Sequence, residues 1–188
     1  MNAPYKTLSS RVAWSCPWYS VRQDELALPD GQTAVYNVIQ HPGAVFIIPL
    51  TGDGQIILIR HYRHTVQDWC WELPAGGLKE GQSLLDVAHE ELREEIGGTA
   101  AALQYVGHFY PTNGVSNETA HVFIASGVTL GRPQHEAVEL IEIHPTPLAE
   151  ALRMARANEI SDAPSALALL ISETKLNELS KISQIDAD

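Results

Sequence analysis

The sequence predicts an α/β (α+β) chain in which strands surround one acidic helix and two further helices close the end. Three observations predict this class. Short apolar or alternating runs, separated by turn residues, recur from residue 20 to residue 127. A single segment with helical spacing, residues 83–97, interrupts them. Two more helix-period segments follow at 147–157 and 162–179.

Each element has a local reason. Residues 20–26 and 33–40 alternate in polarity, and Pro29-Asp30-Gly31 between them reads as a hairpin turn. Residues 45–50 and 55–62 make a second strand pair, joined through Gly52-Asp53-Gly54. The stretch Trp71-Glu72-Leu73-Pro74-Ala75-Gly76-Gly77 leaves an apolar strand and turns tightly through two glycines. In the helix that follows, Ser83 is the cap and Asp86 reaches back to it. Leu85, Ala88, Leu92 and Ile96 recur every three or four residues, and Gly97-Gly98 ends the helix. Strands are expected at 101–110, 119–127 and 140–144. The helix at 147–157 takes Thr146 as its cap, with a proline in its first turn. In the last helix, Ala163, Ala166, Leu167, Leu170 and Ile171 are expected to face inward. The boundaries read as an N-terminal strand extension over 1–42, a main domain over 43–180 and a frayed tail over 181–188.

Composition restricts function. With 188 residues and 45% hydrophobic content, the chain can fill one domain and a small appendage. The longest apolar runs, such as residues 44–50, are far short of the roughly 20 residues a membrane-spanning helix needs. No basic stretch leads into a hydrophobic segment at the N-terminus, so the cytoplasm is the expected location. A net charge of −11 without a basic stripe argues against nucleic acid as a partner. Cys16 and Cys70 have no metal-finger spacing and suggest no disulfide framework. His61, His64, His89 and His108 show no metal-binding spacing either.

The acidic helix carries the chemistry. Glu90, Glu91, Glu94 and Glu95 crowd two turns, although like charges four residues apart cost a helix about 0.2–0.5 kcal/mol per pair. At about 100° per residue, Glu91 and Glu95 stand one turn apart on one side with Glu94 beside them. Two readings stand side by side. A charge run is often a solvated face; alternatively, the carboxylates converge on one hard divalent ion. Magnesium suits the second reading, since it accepts a few carboxylates and bridges to phosphates. The glycine-rich turn beside the helix favours it.

Residues 76–98 resemble the Nudix box: glycine, five residues, glutamate, seven residues, then Arg-Glu-aliphatic-x-Glu-Glu-x-Gly-aliphatic. Gly76 is the first glycine, and Glu91-Leu92-Arg93-Glu94-Glu95-Ile96-Gly97 supplies most of the second half. Three positions depart: Gln82 replaces the first glutamate, Glu90 the arginine and Gly98 the last aliphatic residue. The resemblance spans roughly residues 10–175 and is closest to the ADP-ribose pyrophosphatase branch. It is carried by Pro29-Asp30-Gly31, by Leu58-Ile59-Arg60-His61-Tyr62-Arg63, by Glu72-Leu73-Pro74-Ala75-Gly76, and by Tyr110-Pro111-Thr112-Asn113-Gly114 through Glu118. It implies the Nudix fold, an α/β/α sandwich with a mixed β-sheet and an N-terminal β-hairpin extension of the kind that pairs subunits in a homodimer.

The same resemblance implies metal-dependent hydrolysis of a nucleoside diphosphate sugar such as ADP-ribose, with Mg2+ (or Mn2+) as cofactor. Glu91, Glu94, Glu95 and Glu139, with the carbonyl of Ala75, would hold metal. Glu94, Glu136 and Glu139 are the catalytic candidates, Glu136 as the base or, failing that, an exposed loop acid. Trp18 would stack on the adenine, or pack against protein. Arg60 and Arg63 would hold phosphate, with a surface ion pair as the other reading of Arg63. Pro111 sits where related proteins favour ADP-sugars, and Glu118 would touch the terminal ribose or order its loop. The alternatives are a GDP-mannose-type substrate and a Nudix module that senses ADP-ribose without cutting it.

Overall fold

The computed structural model describes residues 4–135 and 139–185. The chain forms two compact units, residues 1–43 with 110–119, and residues 44–109 with 120–188.

The first unit is a three-stranded antiparallel sheet of β1 (Lys6–Ser15), β2 (Ser20–Ala27) and β3 (Thr33–Gln40), in that order. The β2–β3 turn closes as its residues predict: Leu28 N–H donates to the Gln32 carbonyl at 2.9 Å, and Gly31 takes a left-handed φ of 85°. β1 shows no alternation that announces a strand, because all 10 of its residues are exposed. The extension is therefore three strands and not a bare hairpin. Asp24 on β2 is buried, and the guanidinium of Arg22 accounts for it: Nε reaches both carboxylate oxygens, at 2.9 and 3.0 Å, while Ser10 adds a bond of 2.7 Å from β1. These partners, Arg22 first, hold the Asp24 carboxyl below its ordinary pKa. Residues 110–119 attach to β3 through Ile39 N–H to the Val115 carbonyl at 2.8 Å and Tyr36 Oη to the Gly114 carbonyl at 2.9 Å.

The second unit is built on a seven-stranded sheet. Its order is β10 (Ile141–Pro147), β5 (Gln55–Arg63), β4 (Ala44–Thr51), β9 (Ala120–Val128), β8 (Ala102–Phe109), with β6 (Asp68–Glu72) on β5 and β7 (Ala75–Gly77) on β4. β4 and β9 are parallel and the other pairs antiparallel, so the sheet is mixed. Strands β4 and β5 read as unbroken apolar runs because both faces are covered. Val45, Ile47, Ile57 and Ile59 pack beneath α1 (Leu84–Ile96) against Val87, Ala88, Leu92 and Ile96. Ile48, Leu50, Ile56 and Leu58 pack on the other side against α2 (Leu148–Arg156) and α3 (Ala163–Ile185), through Leu148, Leu152, Ala168, Leu169 and Leu176. This is the expected α/β/α sandwich.

Helix details correct three expectations. Leu85 is exposed and Val87 takes its place under α1, since the stripe that meets the sheet also contains Glu95. Thr146 does not cap α2; it lies within β10 and donates to the His144 carbonyl at 3.1 Å, while Pro147 occupies the cap without a side-chain bond. On α3 the inward face is Ser165, Ala168, Leu169, Ser172 and Leu176, whereas Leu167, Leu170 and Ile171 are exposed. Two buried serines disguise that face. One of them, Ser165, bridges the Leu73 N–H at 2.9 Å and the Asp162 carboxylate at 2.6 Å.

Candidate functional site

The site begins where β6 leaves the sheet. Glu72 and Leu73 enter a turn whose backbone is fixed on both sides: Leu73 N–H donates to Ser165 Oγ, and Ile47 N–H donates to the Pro74 carbonyl at 2.9 Å. β7 then runs antiparallel to β4, pairing Phe46 with Ala75, Val45 with Gly76 and Ala44 with Gly77. That pairing lays Ala75 and Gly76 beside α1.

Helix α1 is held in register at both ends. Ser83 and Asp86 form a reciprocal capping box, and Gly97 closes the C-terminus with φ 62°. Its acids divide by direction. Glu95 is 4% exposed and its Oε2 accepts the Ala75 N–H at 2.9 Å. Glu91 lies against Gly76 so closely that a methyl group there would meet Glu91 Oε1 at 1.8 Å and push the carboxylate aside. Glu94 turns outward and accepts from Arg93 Nη2 at 2.6 Å.

Burial pushes the Glu91 carboxyl up to about 7, with the charges of Glu94 and Glu90 adding to it. Glu95 is raised well above the ordinary carboxylate range, by burial first and by Glu91 second. Glu139 raises both, so its charge reaches the same cluster. Among the described residues, no three His, Cys, Asp or Glu side chains already surround one point. Glu95 is held by the Ala75 N–H and Glu94 by Arg93. An oxygen-only donor set whose members resist ionisation fits a hard divalent cation, which would relieve the repulsion that raises them.

A strap of residues 129–135, following β9, is fastened across the end of α1. Thr129 pairs with Thr99, Gly131 N–H donates to the Gly97 carbonyl at 2.8 Å, and Gln134 N–H donates to the Glu94 carbonyl at 2.7 Å. His135 Nε2 lies 2.6 Å from the Glu95 carbonyl, and Arg93 Nη1 bonds Gln134 Oε1 at 2.8 Å. The strap thus takes up carbonyls that the end of a helix leaves unpaired and leads on toward Glu139. Glu136, the expected base, lies outside the described residues. Nothing periodic in residues 129–135 marks the strap. Its sequence signal is only the glycine at 131, where a Cβ would stand 3.0 Å from the Gly97 carbonyl.

Arg63 forks onto buried Glu72, with Nε at 2.8 Å from Oε1, at the wall of a cavity of about 570 Å3 lined also by Thr65, Asp68, Cys70 and Asp162. Glu72 pulls the Arg63 pKa up, while burial raises that of Glu72 against the opposing effect of Arg63. The sequence offered Glu72 only as part of a turn motif, and its pairing became visible once β5 and β6 were aligned. Arg60 lies 5.8 Å from the ring centroids of both Trp69 and Trp71. His61 is buried and its pKa falls to about 4, chiefly through burial and Arg63; it stays neutral. In the first unit, Trp18 is 72% exposed, Pro111 is half-buried, and Glu118 stands 3.6 Å from His41 Nδ1.

The NUDIX domain matches residues 40–168, more than half of the chain. The chain belongs to the NUDIX family. Ahead of its NUDIX domain, residues 5–39 match the nucleoside diphosphate sugar hydrolase N-terminal domain. This NUDIX protein is 30% identical over 172 residues to an ADP-ribose pyrophosphatase of Bacillus subtilis, covering 90% of this chain and 93% of that one. It is 34% identical to an ADP-ribose pyrophosphatase of Mycobacterium tuberculosis, covering 83% and 77%. A protein of Bacillus methanolicus named methanol dehydrogenase activator is 30% identical, covering 87% and 90%. The crystal structure of an ADP compounds hydrolase superposes with a TM-score of 0.81 at 20% identity, over 94% of this chain and 96% of that one, which is a likeness of fold.

Proposed function

We propose that this NUDIX protein hydrolyses the pyrophosphate bond of ADP-ribose or a related nucleoside diphosphate sugar, giving a nucleoside monophosphate and a sugar phosphate. One observation carries the reading: Glu91 and Glu95, both resistant to ionisation, converge on the Ala75–Gly76 turn in a chain related over most of its length to ADP-ribose pyrophosphatases.

Mg2+ is the proposed cofactor, held by Glu91, Glu94, Glu95 and Glu139 with the carbonyl of Ala75. When bound, such an ion neutralises phosphate charge and lowers the pKa of a coordinated water. The chain's own residues do the rest. Glu95 keeps its bond to the Ala75 N–H, which aims the neighbouring carbonyl, and Arg93 and Gln134 hold Glu94 and the strap together. In the reaction a water oxygen bonds to one phosphorus, the bridging P–O bond breaks, and the water proton passes to a carboxylate, assigned to Glu136. Glu94 and Glu139 are the other catalytic assignments.

Arg60 and Arg63 are assigned to the phosphates and Trp18 to the adenine, whose face an exposed indole can cover. Pro111 and Glu118 are assigned to the sugar end. The fully exposed edge strand β1 supports a homodimer, and two free thiols support a cytoplasmic location. The test is a panel of ADP-ribose, GDP-mannose and other nucleoside diphosphate compounds with Mg2+, following monophosphate release. ADP-ribose should be among the best substrates. Tight binding of ADP-ribose with no product would replace hydrolysis by sensing.

A further inference from the structure

Positions 82 and 90 hold the two charge-altering departures from the Nudix box, and they touch each other. Gln82 Nε2 donates to Glu90 Oε2 at 2.7 Å. Lys79 Nζ donates to the other oxygen, Glu90 Oε1, at 3.4 Å. The three side chains therefore tie the loop between β7 and the cap of α1 to the second turn of that helix.

The polarity of this contact is fixed. A carboxylate only accepts, so the Gln82 amide must present its nitrogen to Glu90. Its own oxygen is then left buried without a hydrogen-bond partner among the described residues. An amide is neutral, so the Gln82–Glu90 contact carries one uncompensated negative charge beside Glu91 and Glu94. Arg93, the cation on the same helix, is committed to Glu94 and Gln134. Lys79 supplies the positive charge.

The place of the contact gives it a role. Glu91, the next residue after Glu90, rests on Gly76, and Ala75 binds Glu95. The loop that Gln82 and Lys79 fasten begins directly after that turn and ends at Ser83, the cap of α1. Fastening it at Glu90 closes a ring of contacts around the carboxylate cluster.

We propose that Lys79, Gln82 and Glu90 form a positioning latch that holds the Ala75–Gly77 turn against Glu91 and Glu95, with Lys79 as the counter-charge that an acid at position 90 requires. The latch rests on the metal-dependent reading above, but metal binding and unfolding report on it without turnover.

The experiment compares the parent with Gln82→Glu, Gln82→Glu/Glu90→Arg, Lys79→Met and Lys79→Arg. Metal-free melting temperature, calorimetric Mg2+ affinity and, where hydrolysis is found, kcat at saturating Mg2+ are measured. Gln82→Glu sets two carboxylates against each other and should lower the melting temperature by about 2–4 °C and Mg2+ affinity by about tenfold. Adding Glu90→Arg should restore both. Lys79→Met should weaken Mg2+ binding in the same direction and Lys79→Arg should not, while kcat at saturating Mg2+ stays within about twofold for either lysine variant, as expected of groups that act on metal affinity from outside the ligand set. If Gln82→Glu fails to fold, Gln82→Leu takes its place with the same expected directions. The latch is overturned if Mg2+ affinity is unchanged in Gln82→Glu and Lys79→Met whatever the melting temperature does, or if the double change deepens the defect. A chain that binds Mg2+ with this pattern but releases no monophosphate would refute the hydrolytic function and leave the latch standing.

Discussion

Glu95 is the residue at which charge and burial conflict most, since it is almost wholly enclosed with Glu91 and Glu139 acting on it. Glu95→Gln keeps an oxygen for the Ala75 N–H and removes the charge. The expected outcome is loss of turnover by more than about 100-fold, beyond the usual cost of altering groups outside the ligand set, with a metal-free melting temperature at pH 8 that holds or rises. Retained activity in a steady-state assay would remove Glu95 from the site. Titration gives a second prediction. Glu91 and Glu95 have folded pKa values raised above the unfolded value of 4.5, so their stabilising contribution is complete below that pH and is lost as pH rises through the folded value, about 7 for Glu91. Between about pH 6.5 and pH 8, where buried His61 is neutral in both states and adds no opposing slope, metal-free melting temperature should therefore fall as pH rises, and Mg2+ added at pH 8 should reverse the fall because it binds the ionised acids. A flat profile would contradict the crowding. The sequence made these acids legible through their spacing. Which of them was buried depended on the sheet beneath α1, and the partner of Arg63 depended on the register of β5 with β6.

At the scale of elements, the ends of α1 were legible to the residue because their signals are local: a capping box at Ser83–Asp86 and a left-handed glycine at 97. α3 was misread for the converse reason. Its buried stripe contains Ser165 and Ser172 while Leu167, Leu170 and Ile171 point outward, so polarity and burial disagree along it. The end of α1 also bears on function, since Gly97 contacts the strap that leads toward Glu139. A Cβ at position 97 would stand 2.6 Å from the backbone of Gly131, at a φ that side chains rarely adopt. Gly97→Ala should cost more than about 1 kcal/mol in urea unfolding, the usual penalty for alanine forced into a positive φ. It should also lower activity, because the strap must move. Ser83→Ala, at the other end, should cost about 1 kcal/mol for the lost cap with little change in kcat. Equal activity losses in the two variants would mean that helix stability, and not the strap, is what the site needs.

For the whole molecule, the sheet that carries the site was legible because its strands are buried on both faces and read as apolar runs between glycine turns. β1 was not, because a strand exposed along its whole length has no hydrophobic face to show. That exposure bears on assembly. Among the described residues β1 is an edge strand of its sheet, paired on one side with β2, and Val12 and Trp14 on it are 60% and 52% exposed. A second copy of the chain would cover such an edge, and a stable pairing needs roughly 800 Å2 from each partner. Light scattering after size exclusion should therefore give twice the 20.6 kDa chain mass. Val12→Asp with Trp14→Asp places like charges across any two-fold contact of β1 with itself and should yield the monomer mass, while Mg2+ affinity, which depends on the second unit, stays at the parent value. A parent protein that is already monomeric at high micromolar concentration would leave β1 as a solvent-facing strand and remove the dimer from the proposed function.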